Sequence, residues 1–335
     1  MEQTKNHAAT AIQAQIAELH RYLNTRILGQ PALMTRILIA LLADGHLLLE
    51  GAPGLAKTRA VKELAAGIEG SFHRIQFTPD LLPGDLTGTD VYHPQNGSFV
   101  FSPGPVFHNM VLADEINRAP AKVQSALLEA MGERQVTIGS RTYPLPELFL
   151  VLATQNPIEQ EGTYPLPEAQ LDRFLMYVTI SYPDELVERE ILGLARQEAL
   201  AQQNAAKTPA QPLIKPLPQS VLFEARRQVL QVHTSEALEK YIVQIIVATR
   251  NPSLHSETLG RWLRFGASPR ATIALDRCSK AHAWLAGRDF VTPEDIHAVA
   301  HEVLRHRILL TYEAEAEGVR CDHFITELLR CVAVP

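Results

Sequence analysis

The sequence has few cysteines, no excess of positive charge and no long apolar run, and each of these features excludes a class of protein. Its 335 residues include three cysteines without close spacing, so we expect neither a disulfide framework nor a zinc-binding pattern. The formal net charge is −6, whereas proteins that bind DNA or RNA usually carry a basic excess. The amino terminus lacks the apolar core of a signal peptide, and the apolar run at residues 37–43 is too short to span a bilayer. We therefore expect a cytoplasmic protein with no membrane insertion and no nucleic-acid partner.

Short apolar segments alternate with helical patterns through the first half of the chain. These segments are residues 46–50, 72–77, 110–114, 148–154 and 174–180. Continuous apolar runs are typical of strands that are covered on both faces, so we predict a parallel sheet flanked by helices. Two helices are predicted before the first strand, over residues 8–28 and 31–43, because apolar residues recur there at three- and four-residue spacing.

The rest of the chain divides into inserts, a linker and a helical region. Residues 85–104 are rich in turn-forming residues, and residues 135–145 predict a hairpin that turns at Gly139 and Ser140. The proline-rich stretch 203–219 predicts an extended segment, and the pattern after it is helical. We therefore assign residues 1–182 to an α/β domain with two inserts, residues 183–218 to a linker region and residues 219–335 to a smaller all-α domain.

The segment GAPGLAKT follows the first predicted strand and precedes a helical pattern, which is the context that a phosphate-binding loop requires. Gly51 and Gly54 allow the backbone to turn, so that successive N–H groups and the positive end of the helix face one point. Lys57 then brings a charge to the β- and γ-phosphates, and the Thr58 hydroxyl is a ligand for Mg²⁺. Ala56 replaces the glycine of the general motif, and we expect its methyl group to be tolerated in a helical backbone conformation. A surface turn of similar sequence is the alternative.

Polar side chains also end two further predicted strands. Asp114 and Glu115 follow one strand, and Asn156 follows another. Parallel strands bring their carboxyl ends to one edge of the sheet, where ligands bind in such folds. There Asp114 can hold Mg²⁺, Glu115 can orient or deprotonate the attacking water, and Asn156 can reach the γ-phosphate. Without the phosphate loop, they would be solvated acids and an ordinary Asn-Pro turn.

Two arginines occupy positions from which they could act on phosphate. Arg173 precedes the fifth predicted strand, and an arginine there can stabilise charge on a transferring phosphoryl group of its own or a neighbouring subunit. Arg270 begins a helix of the second domain, where a positive charge opposes the helix dipole unless an anion is near. A solvated salt bridge is the alternative for each arginine.

Five segments of the chain follow the order and approximate spacing of the sequence motifs of AAA+ ATPases. They are GAPGLAKT, VLADEINRAP, VLATQNP, EAQLDRF and GASPR. The amino-acid sequence of these segments resembles the MoxR family in particular, as does the segment KVQSALLEAMGERQVTIG that follows VLADEINRAP. The resemblance covers residues 27–335, and it is most specific over residues 27–182. It implies a P-loop NTPase core of the AAA+ type, followed by a helical lid domain, and Mg²⁺-dependent hydrolysis of ATP.

The resemblance also implies a role for each matching residue. Lys57, Glu115, Asn156 and Arg173 would be catalytic, with Asn156 as the first sensor and Arg173 as the arginine finger on a neighbour's ATP. Thr58 and Asp114 would bind the magnesium ion, and Arg270 would be the second sensor on the lid. The implied nucleotide-binding set is Leu28, Gly29, Gln30, Gly51, Ala52, Pro53, Gly54, Leu55, Ala56, Lys57, Thr58, Arg59, Asp114 and Arg270.

The family also implies partners. We expect a homo-oligomeric ring, with six subunits in the family, whose pore both inserts line. A protein client is implied too, and proteins with von Willebrand factor A domains are often found beside the family. The first hypothesis is an ATP-driven remodeller of protein complexes. The others are a slow ATP-dependent assembly switch, and a DNA-acting motor in which Arg134 and Arg141 beside the second hairpin contact the nucleic acid.

Overall fold

A computed structural model describes residues 2–52, 54–95, 97–157, 162–205 and 214–335, and it contains an α/β domain followed by a mainly helical lid. The strands of the α/β domain are β1 (Leu47–Gly51), β2 (Phe72–Gln76), β3 (Gly88–His93), β4 (Ser98–Pro103), β5 (Met110–Asp114), β6 (Gln135–Ile138), β7 (Arg141–Pro144), β8 (Leu150–Gln155) and β9 (Met176–Ile180). Its helices are α1 (Glu2–Arg26), α2 (Pro31–Leu42), α3 (Lys57–Ala66), α4 (Pro83–Thr87), α5 (Ala121–Glu133), α6 (Glu168–Leu171) and α7 (Glu185–Ala205).

Five strands form a parallel sheet in the order β2-β5-β8-β1-β9, as the apolar runs predict. The central strands are buried on both faces. Leu47 and Leu49 of β1 pack with α1, α2 and the lid, whereas Leu48 packs with the layer formed by α4, α5 and the β6 strand. Because apolar neighbours cover both faces, the strands carry no polar alternation.

The first predicted helix is confirmed as α1, whose apolar face is buried at Ile16, Leu19 and Leu23. Both predicted inserts form antiparallel hairpins, β3–β4 and β6–β7. Phe101 of the first hairpin stacks on Tyr143 of the second, with ring centroids 4.0 Å apart, so the two hairpins are in contact. Tyr92 and Phe99 form an exposed aromatic pair on β3–β4.

The region predicted as a linker, residues 183–218, begins with a helix, and the segment predicted to be extended starts only at residue 203. The helix is the 21-residue α7, and residues 206–213 lie outside the described part of the chain. After them, Leu217 returns to the α/β domain, where its N–H donates to the Gly67 carbonyl over 2.9 Å.

The lid contains the helices α8 (Gln219–Leu230), α9 (Glu236–Ala248), α10 (Glu257–Trp262), α11 (Pro269–Leu285), α12 (Pro293–Leu304), α13 (Tyr312–Ala316) and α14 (Cys321–Cys331). The predicted helical lid is confirmed, and it also contains one short strand pair, β10 (Leu263–Phe265) with β11 (Leu309–Leu310). Helix α12 begins with a capping box, in which Asp295 accepts from the Thr292 N–H over 2.8 Å.

Helices of the lid share one hydrophobic core with α2 and one face of the sheet. The lid is therefore packed against the α/β domain through apolar side chains as well as polar contacts. Among the described residues, no helix combines the length and apolar character that crossing a bilayer requires.

Candidate nucleotide site

The predicted phosphate loop lies between β1 and α3, with Lys57 and Thr58 in the first turn of α3. The Lys57 ammonium donates to the Gly51 carbonyl over 2.6 Å, so its side chain folds back across the loop. Gly51 ends β1, and a Cβ there would lie 2.9 Å from the Ile180 carbonyl oxygen, so glycine is required for close packing. Ala52 and Leu55 are buried, and Pro53 lies outside the described residues.

Two residues of the loop have left-handed backbone conformations. Gly54 has φ of +86° and Ala56 has φ of 57° and ψ of 13°. The expectation that Ala56 would be tolerated in a helical conformation needs correction, because the helical region is the left-handed one. Glycine adopts it freely, which explains the general motif, whereas alanine costs about 1 kcal/mol. Left-handed residues turn consecutive N–H groups toward one point, as an anion-binding loop requires.

The two acids and the predicted sensor come together beside the loop. A cavity of about 380 Å³, here called the phosphate cavity, is lined by Gly54, Leu55, Ala56, Lys57, Thr58, Arg59, Arg74, Asp114, Glu115 and Asn156. The buried hydroxyl of Thr154 donates to Asp114 Oδ1 over 2.6 Å and accepts from the Glu115 N–H over 2.9 Å. Glu115 has φ of 58°, a strained conformation for a residue with a side chain. Thr154 therefore fixes both acids from the neighbouring strand.

Sequence reasoning missed two polar residues of β2 that contact the same acids. Arg74 donates to Asp114 Oδ2 from Nε over 3.0 Å and from Nη2 over 2.6 Å. Gln76 donates to Glu115 Oε2 over 2.7 Å. Arg74 and Gln76 are two residues apart in a strand, so they lie on one face of the sheet. This polar spacing is the sequence pattern from which they could have been predicted. Arg74 and Gln76 thus each contact one of the two carboxylates. Asp114 also accepts from Thr154, and Glu115 also pairs with Arg118.

The part of the implied nucleotide-binding set at residues 28–30 lies next to the loop. A second cavity of about 280 Å³, here called the base cavity, is lined by Arg26, Ile27, Leu28, Gln30, Gly54, Leu55, Ala56, Arg59, Pro183, Glu188, Ile191, Leu194 and Ala195. Gly29 has φ of +75°, and a Cβ there would lie 2.3 Å from a methyl group of Val187. Gln30 donates to the Ser181 carbonyl over 3.0 Å. The junction of α1 and α2 therefore forms one wall of the base cavity and helix α7 forms the other.

A hydrogen bond between Ser268 and Asp172 links the backbone segments that carry Arg270 and Arg173. The Ser268 hydroxyl donates to Asp172 Oδ2 over 2.8 Å and accepts from the Arg270 N–H over 3.1 Å. Arg173 follows Asp172, and its guanidinium donates to the Leu128 carbonyl. Neither arginine is among the described residues that line the phosphate cavity of its own chain. The implied role of Arg270 as the second sensor on the lid stays a prediction.

Sequence reasoning also missed Arg307, because its partners are distant in the chain. Its buried guanidinium donates to Asp172 Oδ1 over 2.7 Å and to the Phe174 carbonyl over 2.6 Å. Burial lowers the pKa of Arg307 below its ordinary value, although the hydrogen bond to Asp172 opposes that shift. Arg307, a residue of the lid, is thus bonded to both chain neighbours of Arg173 and holds that segment against the lid.

Comparison with known proteins identifies the family of this site. Residues 46–176 match the model of the ATPase family associated with various cellular activities (AAA), and residues 261–328 match that of the AAA lid domain. A Mycobacterium tuberculosis protein named Chaperone MoxR1 is 46% identical over 310 residues, which are 92% of this chain and 79% of that protein. The chain belongs to the MoxR family of AAA+ ATPases. Protein MoxR of Paracoccus denitrificans is 33% identical over 91% of this chain and 92% of that protein.

A solved structure from Cytophaga hutchinsonii, described as an ATPase, superposes with a TM-score of 0.89 and is 46% identical. It covers 99% of this chain, and this chain covers 98% of it. The MoxR-family assignment therefore extends over the α/β domain and the lid together, and the chain is a nucleotide-binding ATPase.

Arg74 gives a prediction about the charge balance of the site. Asp114 is buried, and the Arg74→Ala variant removes its cationic partner. Since Arg74 is itself partly exposed, we expect the free energy of unfolding without nucleotide to fall by about 1–2 kcal/mol. Thermal unfolding should show a larger stabilisation by Mg²⁺ and ADP in this variant than in the wild type, because the metal replaces the lost charge. Equal stabilisation of Arg74→Ala, Arg74→Lys and the wild type would contradict this account.

Proposed function

We propose that the chain hydrolyses ATP as a homo-oligomeric ring, with six subunits, and uses the energy for chaperone-like remodelling of protein complexes. The observation that supports this most is the position of Arg173 and Arg270. Both lie beside Asp172 and Ser268, away from the residues that line their own phosphate cavity. Two arginines on one edge suit a phosphate presented by the next subunit, and head-to-tail contacts of this kind can close into a ring.

Within one subunit, the chain's own groups provide the remaining roles. Lys57 and the N–H groups of the loop bind the β- and γ-phosphates, as the left-handed turns at Gly54 and Ala56 favour. Glu115 holds the attacking water and takes its proton, and its carboxylate is oriented by Gln76 and Arg118. Asn156 is 5% exposed and lines the same cavity, so it can fix the water or the γ-phosphate.

The oxygen donors of the site fit a magnesium ion. Thr58 and Asp114 line one cavity, and hydroxyl and carboxylate oxygens are the ligands that Mg²⁺ prefers. The ion, when bound, neutralises charge that develops on the phosphates. The Thr154 hydroxyl donates to Asp114 Oδ1 over 2.6 Å and so orients the Asp114 carboxylate toward the cavity.

We propose a protein client rather than a nucleic acid. The hairpin β3–β4 contains no lysine or arginine, and it exposes Tyr92 and Phe99. Arg134, a candidate for DNA contact, donates to the Glu147 carbonyl and pairs with Asp44 over 2.6 Å, so its charge is engaged within the chain. An exposed aromatic surface suits an apolar polypeptide segment. A partner with a von Willebrand factor A domain is the client type that the family resemblance implies.

A concentration series tests the ring. We expect the ATPase rate per subunit to rise steeply with protein concentration, because an isolated subunit lacks the neighbour's Arg173. The rate is measured at steady state with saturating Mg²⁺ and ATP, beside the mass distribution from analytical ultracentrifugation. A constant rate per subunit in samples that are monomeric by sedimentation would refute the shared site. A rate near zero in fully assembled rings would favour the slow assembly switch.

A further inference from the structure

Helix α7 forms one wall of the base cavity, yet the hydrophobic core does not hold it in place. None of the side chains at residues 185–200 is buried, and Leu186, Leu192 and Leu200 are 74%, 51% and 60% exposed. A helix without buried side chains gains little free energy from packing, so its position depends on a few local contacts.

The first attachment of α7 lies near its amino terminus. Val187 packs on Gly29, where no side chain other than hydrogen fits, and the Val187 N–H donates to Asp184 Oδ1 over 2.9 Å. This end of the helix also adjoins Ser181, whose carbonyl accepts from Gln30. The amino-terminal end of α7 is therefore fixed to the junction between α1 and α2.

The second attachment is ionic and lies about 16 Å farther along the helix, at roughly 1.5 Å per residue. Glu198 accepts two hydrogen bonds from Arg59, over 3.0 and 2.5 Å, and it pairs with Arg26 over 3.0 Å. The hydrogen bond from Arg59 lowers the pKa of Glu198, so the carboxylate is charged at neutral pH. Arg26 is held in turn by Glu63, over 3.2 Å.

The base cavity lies between these two attachments. Ile191, Leu194 and Ala195 line it from α7, and Leu28 and Leu55 line it from the other side. Arg59 also lines the phosphate cavity, and it belongs to the helix that begins with Lys57. The ion pair between Arg59 and Glu198 thus connects α7, at the base cavity, directly to α3, at the phosphate cavity.

We propose that Glu198 is a positioning residue, which holds α7 across the base cavity and so sets the rate at which nucleotide leaves. The inference rests on the proposed nucleotide site. With the ion pairs broken, the amino-terminal attachment is the one that remains among the described contacts of α7, and the apolar wall of Ile191, Leu194 and Ala195 can move away from the base. Nucleotide release then becomes faster without any change at the acids that carry out hydrolysis.

The test is the dissociation rate of fluorescent N-methylanthraniloyl-ADP, measured by stopped flow on the full-length chain. The Glu198→Gln variant should release it roughly tenfold faster than the wild type, as expected for loss of two partly exposed ion pairs. Glu190→Gln removes the same charge from an exposed position of α7 with no ion pair among the described residues, and it should release at the wild-type rate. Release from Glu198→Gln within twofold of the wild type would overturn the proposal.

Two further readouts separate positioning from general disruption. Glu198→Gln should raise the KM for ATP without lowering kcat. Raising NaCl from about 0.05 to 0.5 M should speed release from the wild type more than from the variant, since salt screens exposed pairs. Equal salt dependence, or a fall in kcat, would overturn the proposal. If the wild type binds no fluorescent ADP, the proposed nucleotide site itself is wrong.

Discussion

The Arg173→Ala variant is expected to bind ATP as the wild type does and to hydrolyse it about 10³-fold more slowly. The side chain lies outside the phosphate cavity of its own chain, so ATP affinity should change little. The rate should fall because no guanidinium then stabilises the charge on the γ-phosphoryl group of the neighbour's ATP. Equilibrium binding and steady-state hydrolysis measure the two quantities. Arg227→Ala is a matched control, since Arg227 pairs with Glu224 on the surface of α8.

A mixture of two inactive variants decides whether Arg173 acts on a neighbour. Lys57→Ala keeps Arg173 but loses the lysine of the phosphate loop. Arg173→Ala keeps that lysine but loses the arginine. In randomly mixed rings, up to about a quarter of the sites pair an intact loop with an intact neighbouring arginine. Activity should therefore return on mixing. If the equimolar mixture stays inactive although rings form, Arg173 acts within its own subunit and the shared site is refuted.

The same mixture applies to Arg270. Its N–H donates to the Ser268 hydroxyl, which donates to Asp172, so the start of α11 lies beside the segment that carries Arg173. Complementation between Lys57→Ala and Arg270→Ala would therefore assign both arginines to the neighbour's ATP. The sequence predicts the helix start at Arg270 correctly, but it does not predict which phosphate the arginine faces. That depends on how the lid packs on α2 and the sheet, which is a long-range property of the shared core.

The residues that sequence patterns predict best are those at the ends of strands. Because β1, β5 and β8 are parallel neighbours, Lys57, Asp114, Glu115 and Asn156 have to meet at one edge. The order of apolar runs and polar ends is a local signal, and it is sufficient for this part of the site. The left-handed conformation of Ala56 was not predicted, since an alanine gives no local sign of it.

Residues that act through distant partners were not predictable in the same way. Arg74, Arg307 and Glu198 each bond to a group that lies many residues away in the chain, at Asp114, Asp172 and Arg59. A single charged residue in a sequence indicates only a solvated surface position. Their roles follow from the pairing of strands and the placement of α7, which no short motif encodes.

The Glu115→Gln variant should retain ATP and lose hydrolysis by a factor of about 10²–10⁴, the usual contribution of a general base. The substitution keeps the shape of the side chain, and Thr154 still accepts from the residue 115 N–H, so the strained backbone is preserved. A glutamine amide cannot take the proton from water. Glu133→Gln, at the exposed end of α5, is a matched control for the loss of one carboxylate.

Single-turnover hydrolysis with radiolabelled ATP measures this step without product release, and filter binding measures the retained nucleotide. A fall of less than tenfold would mean that another group takes the proton, and loss of ATP binding would mean that Glu115 supports the site rather than the reaction. The expected combination is tight ATP binding with negligible turnover. Under the proposed shared site, such a variant remains in the ATP state, in which the neighbour's Arg173 contacts the γ-phosphate. Rings of Glu115→Gln should therefore dissociate more slowly on dilution with ATP than rings of the wild type, which lose their γ-phosphates as they turn over.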